Sequence, residues 1–422
     1  MKKKAAFFIA LRYLWCRAHE GGRYLRGAAA GIAISLVPII VTLIVADGMI
    51  RGIMDRYLEF GTGHLQVFEI SNFGMDEEDT AGKIKDINGV RGVWFEQRGM
   101  GVLAGRSGRT GVTVRAIESS FWDDPYSYKY LNIIEGEHIP ETDRDIVLGE
   151  ALAAGIGVKT GDTVRLMTLR TGENERLSPR SASFTVKGIL SCGYNELDAL
   201  WCIISREGGK RVLSNDDTSA SLIVKIDDPY KNADDFLSKI YMQLGSGFGI
   251  YTWKDLLRSQ YSSYESTRQL LLFIMALIVI VAAVNVSSAT SMLVLERQKD
   301  IAVLKFSGAD IKGVTSVFLW SGLLTGFAGS VIGITLGLLI GSNINFLIRQ
   351  LEKLLSFFSG FFSGRQITIL DPEFYLETIP IIIDWNAVFI IGLFAVICSV
   401  IASWIPARRA GRLKPMEILR KT

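Results

Sequence analysis

Four windows of this chain run for about 20 residues or more almost without charge, and that feature limits the folds open to it. Hydrocarbon holds no water to compete for backbone N–H and C=O groups. A chain crossing it must satisfy those groups within one segment, as a helix does. Roughly 20 apolar residues cover a hydrocarbon core about 30 Å thick. The windows are 27–50, with the single acid Asp47, and 270–295, 314–345 and 385–405, all three uncharged. A cleaved signal peptide does not account for the first: its apolar run is too long, starts too late and precedes no small-residue cleavage site. The balance of 46 Lys and Arg against 43 Asp and Glu leaves a net charge of +3, too small for a phosphate-tracking surface. A purely soluble enzyme, a disordered protein and a nucleic-acid binder are set aside on these grounds.

Basic residues near the span ends set orientation. Lys2, Lys3, Lys4, Arg12, Arg17, Arg23 and Arg26 precede the first window, against Glu20. Arg408, Arg409, Arg412, Lys414, Arg420 and Lys421 follow the fourth, against Glu417, and Arg297, Lys299, Lys305 and Lys312 lie between the second and third. The loop before the fourth window is acidic instead, with Glu352, Asp371, Glu373, Glu377 and Asp384 against Arg349, Lys353 and Arg365. The expected fold is therefore a membrane α-helical protein of four transmembrane helices. A large α/β (α+β) external domain is inserted between helices 1 and 2, and both termini are cytoplasmic. In segments, this gives an amphipathic N-terminal helix (1–26), helix 1 (27–50), the external domain (51–269) and helix 2 (270–295). A cytoplasmic loop (296–313), helix 3 (314–345), an external loop (346–384), helix 4 (385–405) and a cytoplasmic C-terminus (406–422) follow.

In the N-terminal segment Phe7, Phe8, Leu11, Leu14 and Trp15 recur at helical spacing, which predicts one interfacial helix over 5–26. In the external domain, alternation predicts strands at 64–70, 91–95, 112–117, 163–169, 183–190, 201–204 and 221–226. Helices are expected at 76–87, 150–155, 234–243 and 253–268, the last leading directly into helix 2. The polar stretch Arg170–Ala182 reads as a long loop between strands, a place where binding residues gather. Phe346–Phe362 is amphipathic and either extends helix 3 or lies on the outer membrane surface. Pro38 sits mid-span, where a missing N–H predicts a kink. Asp47 is expected to cap or bond backbone near the outer end of its span. Of four cysteines, Cys192 and Cys202 fall in a compartment that permits a disulfide; two buried free thiols are the alternative.

Catalytic signatures are missing. There is no phosphate-binding G-x-x-x-x-G-K-[ST], H-E-x-x-H, G-x-S-x-G or C-x-x-C. The three histidines, His19, His64 and His138, are scattered, and His64 reads as a strand-edge residue. The windows carry too few ionisable groups for an ion pathway. The expectation is a non-enzymatic chain with no metal site and no cofactor of its own, whose energy comes from a separate subunit.

The loop LERQKDIAVLKFSGADIKGV (Leu295–Val314) contains a short helix that places Ile301, Leu304 and Lys305 on one face and ends at Gly308. Its E-R-x-x-[DE]-I-x-[VI]-L-[KR]-x-x-G-A pattern resembles the coupling segment of ABC permeases of the FtsX/MacB type. Pro406–Ala410 with Lys414–Arg420 resembles the ending of that family. FIALRYLWCR, GIAISLVPIIVTLIVADGM, DIVLGEALAAGIGVKTGDTVRLM, FTVKGILSCGYNELDALW and DPEFYLETIP are similar to the lipoprotein-releasing (LolC/LolE) branch.

The resemblance implies a multi-pass protein of the bacterial inner membrane with a MacB-like periplasmic core domain. It also implies mechanical extraction of lipoproteins from the outer leaflet and transfer to a periplasmic carrier. The implied partners are a cytoplasmic ABC ATPase dimer holding ATP and Mg, a second permease (the same chain or a paralogue), lipoprotein substrates and membrane lipid, with no nucleic acid. A MacB-like exporter of peptides or toxins and an FtsX-like regulator of a cell-wall hydrolase are the alternatives. Carried onto this chain, ATPase coupling falls to Glu296, Arg297, Lys299, Asp300, Ile301, Leu304, Lys305, Gly308 and Ala309. The carrier-binding loop would be Glu173, Arg176, Leu177, Pro179 and Arg180. The lipoprotein cavity would be lined by Pro38, Val41, Val45, Met49, Leu272 and Phe273.

Overall fold

Four helices of the computed structural model are long and apolar enough to cross a membrane: Arg23–Thr62, Arg258–Glu296, Ile311–Ser342 and Trp385–Arg412. The structure describes residues 3–15, 21–69, 76–171, 177–213, 219–245, 247–362, 376 and 378–413. In chain order the elements begin α1 (Lys3–Trp15), α2 (Gly21–Arg56), a π-helical turn (Tyr57–Thr62), β1 (Leu65–Glu69), α3 (Glu77–Lys85), β2 (Val90–Ala104) and β3 (Arg109–Ile117). Next come β4 (Asn132–Gly136), β5 (Asp145–Gly149), α4 (Glu150–Ile156), β6 (Thr163–Thr171), β7 (Leu177–Ser191), α5 (Asn195–Asp198), β8 (Trp201–Ser205) and α6 (Arg206–Val212). The chain continues through β9 (Ser219–Ile226), α7 (Pro229–Leu244), β10 (Phe248–Thr252), α8 (Trp253–Leu256) and α9 (Arg258–Glu296). It ends with α10 (Gln298–Phe306), α11 (Ile311–Ser342), α12 (Ile344–Phe362) and α13 (Trp385–Arg412). Two compact units result, one of 1–48, 264–367 and 379–422, the other of 49–263 and 368–378.

In the first unit α11 carries a stripe of glycine. A Cβ added at Gly329 would lie 2.7 Å from the Ala29 carbonyl oxygen; at Gly333, 2.9 Å from Ala33 Cα; at Gly337, 2.7 Å from Ile40 Cβ; and at Gly341, 2.5 Å from Ile44 Cδ1. These glycines recur every fourth residue and so share a face, against which α2 lies almost backbone to backbone. On another face Gly322 and Gly326 receive Ser403 and Ser399 of α13, and Ser399 Oγ donates to the Gly322 carbonyl at 2.7 Å. Between lipid tails there is no hydrophobic gain from helix association, so close contact of small residues and buried hydroxyl bonds take over. Ile32, Leu36, Ile40, Met275, Val279 and Ile391 close the apolar interior of α2, α9 and α13.

The N-terminal helix differs from the expected single helix over 5–26: α1 ends at Trp15 and α2 begins at Gly21. Its protein-facing side is the small set Ala6, Ala10 and Tyr13. Phe8 is exposed, and Phe7 packs edge-on against Trp320 with ring centroids 5.2 Å apart. Small side chains let α1 approach α11, which apolar periodicity alone does not reveal. Phe346–Phe362 belongs to α12, a helix of its own after a break at Asn343.

The second unit holds a ten-stranded sheet in the order β10-β1-β9-β2-β3-β8-β5-β7-β4, with β6 pairing β2 and β7. Most pairings are antiparallel; β3–β8 and β5–β7 are parallel. The sheet covers two cores. One gathers Leu65, Val67, Val93, Leu222 and Val224 under Ile84 of α3 and Phe236 of α7. The other gathers Leu103, Val114, Ile146, Leu166, Phe184 and Ile204 under α4 and α6. Strand β2 is long enough to serve both, and only its first third was legible from alternation. Arg170–Ala182 is corrected from a loop to a hairpin: Arg170 and Thr171 end β6, and β7 starts at Leu177 with Thr171↔Leu177 and Leu169↔Pro179 in register. Polar composition over 178–181 hid the start of the strand. Cys192 and Cys202 are both buried and free, the reading of two thiols; burial pushes both thiols up from their usual range.

Replacing Gly333 by Val should lower the thermal midpoint in detergent by an amount equivalent to about 1–3 kcal/mol of overpacking. Leu336→Val on an exposed face serves as control. Equal midpoints for the two variants would show that α11 does not rely on backbone-level contact.

Candidate functional site

The segment between α9 and α11 is built from both ends. Arg297, after the last residue of α9, donates to Asp300 Oδ2 at 3.0 Å and stacks over the Tyr13 ring of α1 at 5.0 Å. Ile301 points inward, into a cluster with Val314, Phe318 and Ala407, and Ala302 is buried beside it. Lys305 Nζ donates to the carbonyls of Gly411 and Leu413 at 2.7 and 2.6 Å. A cation on the carbonyls at the end of a helix opposes the negative pole of its dipole, so Lys305 ties α10 to the end of α13. Leu304 is half-buried. Together with Ile9, Arg12, Tyr13, Arg297, Asp300 and Val303 it lines a cavity of about 390 Å³ between α1 and α10.

Gly308 adopts φ +87°. Ala309 N–H donates to Leu304 O and Gly308 N–H to Lys305 O. These two bonds form a Schellman end, whose left-handed residue is usually glycine. Asp310 then caps α11 by accepting from Gly313 N–H at 3.0 Å.

Of the predicted coupling residues, Ile301 and Lys305 are thus engaged within the chain, while Glu296 and Lys299 are exposed. The outward face of α10 is instead Lys299, Val303 and Phe306, the last two exposed by 64% and 65%. Sequence reasoning passed over Val303 and Phe306. The available signal was an i, i+4, i+7 stripe opposite the one chosen.

The other predicted residues are more dispersed. Pro38 lies within α2, which continues through it. Val41 and Val45 are half-buried. Leu272 packs inward on the α2–α9–α13 core while Phe273 is 64% exposed. Met49 falls in the other unit. A cavity of about 10 Å³ among these helices is lined by Ile32, Ser35, Leu36, Val279, Ala282, Ala283 and Ala395, and by none of the six residues named for a substrate cavity. Asp47 does not bond backbone as expected. It meets Arg268 Nε at 2.8 Å, and the same guanidinium reaches Asp384 at 2.9 Å. Asp384 also caps α13 through the N–H groups of Asn386 and Ala387, so one arginine ties three helices.

In the β6–β7 hairpin Arg180 donates to the Arg211 carbonyl at 2.9 Å, Pro179 is exposed and Leu177 pairs with Thr171. Glu173 and Arg176 lie outside the described residues, as do His19 and the C-terminal 414–422. No group of His, Cys, Asp or Glu able to hold a metal occurs among the described residues.

Two protein-family models divide most of the chain. One described as "FtsX-like permease C-terminal" matches residues 272–415, and one described as "MacB-like periplasmic core domain" matches 27–235. This chain is an ABC transporter permease of the FtsX/MacB type. The permease is 26% identical to the lipoprotein-releasing system transmembrane protein LolC of Neisseria meningitidis serogroup B, over 98% of both chains. It is 24% identical to LolE of Haemophilus influenzae over 93% of both. The crystal structure of the periplasmic region of MacB from Actinobacillus actinomycetemcomitans is 15% identical, covering 50% of the permease and 97% of that chain with a TM-score of 0.31. With its apolar helices and these relatives, the permease is a multi-pass protein of the bacterial inner membrane.

His64 is not at a strand edge, as composition suggested. It is buried before the interior strand β1, where its Nδ1 accepts from Ile226 N–H at 2.9 Å. Burial, with the cations Arg91 and Lys225 nearby, holds its pKa below the usual 6.5 despite Glu59. Glu96, fully buried, would be raised by burial, but Arg115 and Arg98 hold it below the usual 4.5. Both folded-state values lie below the unfolded ones, so the unfolded chain binds more protons and stability falls on acidification. The loss begins as pH drops below about 6.5 through His64 and continues below about 4.5 through Glu96. His64→Gln should flatten the fall in thermal midpoint between pH 7.5 and 5.5 while leaving the steeper fall at lower pH. An unaltered profile would assign that region to other groups.

Proposed function

We propose that the permease extracts lipoproteins from the outer leaflet of the inner membrane and passes them to a periplasmic carrier, driven by a separate ATPase. The observation that carries this reading is similarity over 98% of both chains to proteins named for lipoprotein release. With four spans, the argument that basic flanks stay inside supports termini and α10 in the cytoplasm and the ten-stranded unit in the periplasm between the first two spans. Few ionisable groups within the spans fit a machine that moves its substrate outward from the membrane and not across it.

The ATPase docks on α10 through Lys299, Val303 and Phe306. An exposed apolar pair on a one-helix loop suits insertion into a partner groove. ATP and Mg reside on that partner, bound by its own residues. Closure of the ATPase dimer moves α10, and the unbroken helix α9 passes the motion outward as a lever. A second permease, a copy or a paralogue, completes the substrate cavity, which accounts for exposed Phe273 and for the small void left within one chain. The β6–β7 hairpin, including Pro179 and Arg180, receives the carrier.

Three experiments test this. Val303→Asp with Phe306→Asp should abolish co-purification of the ATPase subunit while membrane insertion persists; retention of the ATPase would remove α10 as its dock. Depleting the permease should leave a reporter lipoprotein in the inner membrane. Normal lipoprotein sorting accompanied by defective cell separation would instead favour a hydrolase regulator. Deleting 171–181 should leave assembly intact and reduce carrier capture at least tenfold in a pull-down; full capture would exclude the hairpin.

A further inference from the structure

Helix α2 ends in a dense set of buried charges within the ten-stranded unit. Beyond Arg56 the backbone widens into the π-helical turn Tyr57–Thr62, a form that is rare and frequently found at functional sites. The last carbonyls of a helix have no partner within it. Here side chains of the unit supply them. Arg115 donates to Phe60 O and Arg98 to Gly61 O, and Gln66 Nε2 donates to Thr62 O at 2.6 Å. Arg56 donates to Gly52 O at 2.9 Å and also to Cys192 O. Glu96 pairs with both Arg98 and Arg115.

The side chain of Glu59 faces a second charged cluster. Lys225 Nζ lies 2.8 Å and Arg91 3.3 Å from its carboxylate, with His64 Nε2 at 3.6 Å. Lys225, wholly buried, also reaches Asp124 at 2.9 Å and Ser127 Oγ at 3.0 Å, and Arg91 reaches Asp124 at 3.1 Å. Just before the turn, Asp55 accepts from the hydroxyls of Tyr230 and Tyr130 at 2.7 and 3.1 Å.

Apolar packing would attach a helix end to a sheet at lower desolvation cost, and buried ion pairs are weak stabilisers compared with apolar residues of the same volume. What charge-assisted bonds add is direction, since small slips or rotations break them. A turn held on its carbonyls from one side and on Glu59 and Asp55 from the other can neither slide nor rotate without breaking several such bonds. We infer that residues 55–62 form a rigid joint that makes the end of α2 and the sheet move as one body, with Glu59 and Lys225 as its positioning residues. The inference rests on the coupling reading above, in which the membrane helices move with the ATPase, and adds α2 to α9 as a helix that carries the motion to the sheet.

The test uses the full permease with its ATPase in vesicles. Glu59→Gln keeps the side-chain shape and removes the charge that faces Lys225 and Arg91. The expected result is ATP hydrolysis within twofold of wild type, lipoprotein released per ATP at least tenfold lower, and substantial recovery in Glu59→Asp. A second readout needs no lipoprotein: ATP should alter amide exchange in 91–117 and 219–226 of the wild type, and Glu59→Gln should lose that response. Should Glu59→Gln misfold, Tyr230→Phe with Tyr130→Phe removes two hydroxyls from Asp55 and should lower release per ATP about threefold. Unchanged release per ATP in a folded variant, or wild-type amides that ignore ATP, overturns the joint. An amide response without any lipoprotein release would instead overturn the substrate reading and leave the joint standing.

Discussion

Hydrocarbon offers backbone groups no hydrogen bonds and helix pairs no hydrophobic gain, and the first unit is organised around both facts. The first fact makes its long segments helices. The second makes their association depend on how near two backbones can come. Helix α11 answers with glycine at 329, 333, 337 and 341 toward α2, and at 322 and 326 toward the serines of α13. The remaining contacts refine this arrangement. Arg268 gathers Asp47 and Asp384, and Lys305 caps the end of α13. Each satisfies a polar group that would otherwise be costly.

The ten-stranded unit solves a different problem, with water outside and a sheet inside. Its two cores are ordinary alternation under short helices, but the strip of sheet beneath the end of α2 is built from charge. Glu96 and Lys225 are wholly buried there. Such groups are tolerated because each has several partners, and a turn so held has one orientation. That rigidity is the property a transmitting element requires, whereas the outward face of α10 shows the opposite character, with Val303 and Phe306 exposed and uncommitted.

How much of this was legible in the residues varies with the kind of signal. The four long apolar helices were readable because length and absence of charge are one-dimensional. The strand at 163–169 was readable because a half-buried strand alternates, and those at 201–204 and 221–226 because a strand buried throughout is a short apolar run. Strand β4, whose residues are all exposed, carries no such pattern and went unseen. The hairpin at 177–182 was masked by its polar composition. At α10 periodicity located the helix and its glycine end, yet the face chosen for a partner, Ile301 with Lys305, is the face the chain keeps for itself. The glycine spacing in α11 was in plain view and needed only a test at every fourth residue.

By itself the sequence determined the four long apolar helices, the contrast between basic and acidic loops, the presence of a mixed domain and the family. These follow from local composition and spacing, because each depends on a residue and its near neighbours along the chain. Only the tertiary structure decided which side of α10 is outward, that Asp47 answers to Arg268, that Cys192 and Cys202 stay apart as free thiols, and that Arg98, Arg115 and Lys225 converge on one turn. Those outcomes depend on pairings between residues tens to hundreds of positions apart, such as Lys225 with Asp124 or Arg268 with Asp47. A charge read along the chain has a sign but no partner until the fold brings one within about 3–4 Å.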